Sequence, residues 1–195
     1  MKSVPVLVLV VSLMFLGAPL ARAAERLMSA DEAPLVAPRD KLATFQVDLG
    51  PVGRLSLVEG KPEAGTIGHF DEIVLEAGQN RTTILKTEGR RLIDAVIGSF
   101  TSPTAHDVVL VLDTGGAGGF VDLVLLSVVD GKVAILHEEE AVKGGRAEFA
   151  DRTGDGRPEL LIHRLEEDMA TNQVKPVTEV LTFTGGKVTP LPGTE

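Results

Sequence analysis

Residues 151–159 read Asp-Arg-Thr-Gly-Asp-Gly-Arg-Pro-Glu. Oxygen-bearing side chains stand at Asp151, Thr153, Asp155 and Glu159. Calcium is a hard cation that takes roughly six to eight oxygen ligands, and a short loop can wrap alternate side chains around one ion. Gly156 permits a sharp turn after Asp155. The Arg157 carbonyl falls where such loops donate a backbone oxygen. The expected ligands of a calcium ion are therefore Asp151, Thr153, Asp155, Arg157 and Glu159. The loop is not an EF-hand: Ile162 occupies the twelfth position, and the flanks, AEFA and ELLIHR, have strand composition. The same residues also suit a metal-free turn in which Asp and Thr oxygens accept from backbone amides.

Three other groups of residues have chemical potential. Val111-Leu112-Asp113-Thr114-Gly115 resembles the core motif of retroviral-type aspartic proteases, in which two Asp residues share a proton and activate water. One copy per chain would require a homodimer. Gly116 stands where that family has Ala or Ser, and no hydrophobic-hydrophobic-Gly segment follows downstream. The Gly-rich stretch 115–119 lacks the Gly-Lys-Ser/Thr of a phosphate loop and is followed by a strand, so it is expected to be a wide hairpin loop. His137 with Glu138, Glu139 and Glu140 is expected to form a solvated charged edge.

Strands are expected at 43–49, 53–58, 70–76, 82–87, 92–98, 107–113, 120–129, 132–137, 146–150, 158–165, 177–184 and 187–191. Val, Ile, Leu, Thr and Phe dominate these segments, which alternate or form short apolar runs. Asp130-Gly131 is a strong hairpin signal because both turn positions need positive φ. The helical candidates are few: residues 138–143, EEEAVK, are the expected single turn, and 165–173 the expected short connection.

The second half of the chain repeats itself. AVIGSFTSPTAHDVVLVL, from Ala95, aligns with AEFADRTGDGRPELLIHR, from Ala147, at an offset of 52. Asp107 falls on Glu159, Val108 on Leu160 and Leu110 on Ile162. Further on, SVVDGKVAIL aligns with TFTGGKVTPL. Each unit has the layout of a four-stranded antiparallel blade. A closed ring of four such blades needs about 180 residues, and 42–195 falls short of that. The expected fold is all-β: about three propeller-like blade units that do not close into a ring, or alternatively a β-sandwich. The expected domain spans 42–195, with its repeat at about 95–137 and 147–191.

Strand, Asp-x-x-x-Asp-Gly-x-x-Glu, strand resembles the calcium loops of the FG-GAP and VCBS repeat families, the integrin-α-like β-propeller repeats. The resemblance is carried by AEFADRTGDGRPELLIHR and extends loosely through the repeat. It also covers a group of exported bacterial proteins in which a glycine-rich loop and a strand precede the Asp-rich loop. It implies that Asp151, Thr153, Asp155 and Glu159 are calcium ligands. Thr153 stands where Asn or Asp is commoner, which implies weaker affinity. The preceding unit, SFTSPTAHD, has one acid and is expected to bind no ion.

The remaining features bound the function. Lys2, the apolar run 4–16 and the triplet Ala21-Arg22-Ala23 have the order of a secretory signal peptide. A run of 13 residues is shorter than the roughly 20 of a spanning helix, so cleavage after residue 23 should leave no span. Residues 24–41 are rich in Ala, Pro and charge, and are expected to form a flexible lead-in. The absence of Cys excludes disulfides, thiolate metal sites, Cys nucleophiles and lipid attachment through Cys. With a net charge of -9 and no basic cluster, nucleic acid is not an expected partner. The expectation is a periplasmic or secreted calcium-binding module that binds or scaffolds an envelope protein or polysaccharide. The alternatives are a hydrolase using Asp113 and a metal-free structural domain.

Overall fold

The computed structural model describes residues 25–26, 46–60 and 71–191. The signal-like segment 1–23, all of the lead-in except 25–26, residues 43–45 of the first expected strand and residue 70 of the third lie outside the described residues. Among the described residues, thirteen strands form three antiparallel sheets, none closed into a barrel. The first sheet is the meander β2 (Gln46–Asp48), β3 (Arg54–Val58), β4 (Glu72–Ala77) and β5 (Asn80–Lys86). The central sheet is β6 (Arg91–Gly98), β7 (His106–Asp113), β8 (Phe120–Val129) and β9 (Lys132–Lys143). The third is β10 (Arg146–Ala150), β11 (Glu159–Asp168), β12 (Gln173–Thr184) and β13 (Lys187–Pro190). A two-residue strand, β1 (Glu25–Arg26), adds to β6 through Ile97 and Val96.

The sheets stack face to face, which places the central one between two cores. Val108, Leu110 and Leu112 of β7 face the first sheet, and Val109 and Val111 face the third. On β8, Val124, Leu126 and Val128 face one way while Val121, Leu123 and Leu125 face the other. A strand buried on both faces needs apolar residues at every position rather than every second one. This explains why β7 and β8 are continuous apolar runs. A register shift between Leu92 and Asp94 turns Leu92, Ala95 and Ile97 to the same core.

The second core contains an aromatic group. Phe100 lies 5.9 Å from Phe149 and 6.0 Å from Phe183, centroid to centroid, linking the central sheet to two strands of the third. Gly98 makes this approach feasible: a Cβ there would meet the Phe149 ring at 2.4 Å.

Neither expected helical segment forms: 165–173 is the end of β11, a turn and the first residue of β12, and there is no helical turn at 138–143. These residues continue β9, which runs unbroken from Lys132 to Lys143. Its register shifts opposite Val121 and Leu123, where Ala141 takes φ 55°. Asp122 stabilises this bulge. Its Oδ1 accepts from the Ala141 amide at 2.9 Å, and its Oδ2 from Arg90 Nη1 at 2.9 Å. Glu139 is drawn to the third sheet by Arg164, whose guanidinium also pairs with Glu179. The polar run that suggested an isolated turn is thus an edge strand fixed at two points. Its bulge and charges also discourage pairing with another chain.

Candidate metal site in the Asp-rich loop

The Asp-rich loop joins β10 to β11. Their register pairs Ala150 with Glu159, so the loop begins and ends on neighbouring strands. Glu159 is the first residue of β11 and is only 4% exposed. Its Oε2 accepts from the Arg152 amide at 2.7 Å and the Thr153 amide at 3.4 Å, and its Oε1 from Thr153 Oγ1 at 3.1 Å. Asp151 accepts from the Gly154 amide at 2.6 Å and the Gly156 amide at 2.9 Å. Asp155 accepts from the Arg157 amide at 2.8 Å. Gly156 takes φ 82°, a conformation that a side chain would strain.

These bonds draw three acids together. One carboxylate oxygen each from Asp151, Asp155 and Glu159 lies within 4.8 Å of the others. Oxygens sharing one calcium ion sit at most about 5 Å apart, twice a Ca–O distance of about 2.3–2.6 Å. The three acids therefore fit a single ion. An ionised carboxylate has about four acceptor sites, and the amide and hydroxyl donors occupy only some of these. No Lys or Arg side chain pairs with any of the three acids among the described residues. Bringing three like charges together without a cation costs roughly 1 kcal/mol per pair even in water. Thr153 contributes by bonding Glu159. Arg157 is exposed, and its amide holds Asp155.

The preceding blade has a loop of the same plan. Asp107, fully buried on β7, accepts from the Thr101 amide at 2.7 Å and from Thr101 Oγ1 at 3.0 Å. Thr101 and Asp107 stand 52 residues before Thr153 and Glu159, and both pairs span six residues. Neither Asp151 nor Asp155 has an acidic counterpart there, because Ser99 and Pro103 hold those positions.

Between the two loops lies a cleft of about 280 Å³. The stretch 99–103 forms one wall, 155–159 the other, and the end of β12 with Thr182, Phe183 and Thr184 closes it.

Asp113 ends β7, and both its oxygens are engaged. Oδ2 pairs with Arg91 Nη2 at 3.0 Å, and Oδ1 accepts from the Gly115 amide at 3.0 Å. A proton-sharing dyad needs a second carboxylate where this guanidinium sits. The stretch 115–119 is an exposed hairpin loop closed by the Thr114 amide on the Phe120 carbonyl at 3.3 Å. His163 bonds Thr178 at 2.8 Å and approaches Glu148 at 3.4 Å, a polar crossing over three strands. Sequence reasoning missed the two inter-strand anchors, Asp122 and Arg164. A lone acid inside the apolar run FVDLVLL was the available signal for Asp122; Arg164 had none.

No known protein family, curated protein or solved structure matches this chain.

Proposed function

We propose that this chain is an exported calcium-binding β protein that serves as a binding or scaffolding module in the bacterial cell envelope. The convergence of Asp151, Asp155 and Glu159 to within 4.8 Å is the observation that carries this reading. Thr153 and the Arg157 carbonyl complete the proposed ligand set, as in the FG-GAP and VCBS loops that the segment resembles. The signal-like first 23 residues and the absence of Cys support export to the periplasm or beyond. Envelope protein or polysaccharide is the proposed partner class. The engaged oxygens of Asp113 give the hydrolase alternative no support.

The test is thermal melting in calcium, in magnesium and in chelator. An ion that binds only the folded chain stabilises it by mass action, by about 2.7 kcal/mol at a hundredfold excess over Kd. The melting temperature should rise in calcium, and magnesium should do less because it demands tighter octahedral geometry. Identical melts in calcium and chelator would make the loop a metal-free turn.

A further inference from the structure

We infer that the cleft between the two equivalent loops binds a small hydroxycarboxylate, such as a uronic acid sugar, and that calcium in the Asp-rich loop strengthens this binding. The ligand site rests on the cleft itself; only its dependence on calcium rests on the function proposed above.

The cleft's volume of about 280 Å³ suits a ligand of one or two small rings. Its lining selects the chemistry. Arg157 lies on one wall, is exposed, and forms no ion pair among the described residues. A guanidinium can grip a carboxylate through two parallel bonds. At the β12 end of the cleft, the Thr182 and Thr184 hydroxyls have no protein partner among the described residues, and each can donate and accept. Together these offer a carboxylate anchor beside hydroxyl partners, while Pro103 and Phe183 supply an apolar surface for C–H groups.

The opposing charge sets the sign of the coupling. Asp155 and Glu159 belong to the same wall as Arg157, and Asp151 lies within 4.8 Å of both acids. Three negative charges repel an anionic ligand, and a divalent ion offsets two of them. Calcium should therefore raise affinity for the carboxylate, on the order of tenfold at low salt. Linkage requires the ligand to tighten calcium by the same factor.

The experiment follows amide shifts of the full folded chain during titration with D-galacturonate, in calcium and in chelator. D-galactose, which lacks the carboxylate, is the control. The expected result is saturable shifts at Ser102, Arg157 and Thr184 with galacturonate, about tenfold weaker in chelator, and none with galactose. Thr182→Val with Thr184→Val, both outside the calcium ligand set, should weaken galacturonate binding severalfold. Calcium binding without galacturonate shifts, or equal shifts with galactose, would overturn the inference and leave the calcium reading standing. Galacturonate shifts in a chain that binds no calcium would keep the ligand site, remove the coupling and overturn the calcium reading.

Discussion

Two loops of one plan carry different charge. In 99–107 and in 151–159, a buried acid at the start of a strand accepts from a Thr amide and a Thr hydroxyl six residues earlier. That bond closes the loop onto its blade, and both blades need it. The first loop closes with Asp107 alone. The second adds Asp151 and Asp155, both exposed and both brought close to Glu159. The first loop reaches the same closure without them, so the closing bond itself does not require the extra acids. The difference separates a structural acid, shared by the two loops, from a pair of acids whose position suits a cation.

The largest expected effect comes from removing the shared acid. Asp107→Ala and Glu159→Ala each leave a Thr amide and hydroxyl without their charged acceptor, at a cost of ~2–4 kcal/mol. Chemical unfolding should show similar losses for both variants in chelator. In calcium the losses should diverge, because only Glu159→Ala also forfeits the ion. Equal losses in both media would erase the distinction between the loops.

Asp151→Asn should cost less, ~1 kcal/mol in chelator, because the amide oxygen can still accept from one of the two amides, Gly154 or Gly156, that the two carboxylate oxygens hold. Its calcium response should fall steeply, because ligand charge sets affinity. Gly156→Ala isolates backbone from charge: no atom lies within 4 Å of the added Cβ, so only the φ of 82° opposes it. A loss of ~1 kcal/mol is expected. Thr153→Asp should sharpen the contrast further. It should lower stability in chelator by crowding Glu159 and tighten calcium by adding a charged ligand, both readable from melting curves.

The smallest effect lies far from both loops. Asp168 is partly exposed at the β11–β12 turn, and the Ala170 amide holds its carboxyl below the ordinary 3.8, with Thr171 adding to this. A depressed acid contributes stability above its unfolded value and loses it as pH falls through its folded value. Asp168→Asn should therefore lower neutral stability slightly, with the difference from the parent chain shrinking as pH falls below 3.8, and leave the calcium response unchanged.

Strands were readable from sequence where turn chemistry was local. Asp130-Gly131 and Gly185-Gly186 end strands where expected, and 120–129 and 146–150 match β8 and β10. The continuous apolar runs of β7 and β8 reflected burial between two cores, which no single segment reveals. The far half of β9 was misread because its polar residues answer to partners elsewhere in the chain, Asp122 on β8 and Arg164 on β11. The Asp-rich loop was legible because its donors and acceptors lie within nine residues. The cleft beside it was not, because the sequence separates its two walls by about 50 residues.

Calorimetric titration of the purified chain with calcium, alongside Asp155→Asn, bears most directly on the difference between the two loops. One saturable site per chain that disappears in Asp155→Asn is the expected result. An absence of binding heat at millimolar calcium, or heat that survives in Asp155→Asn, would contradict it.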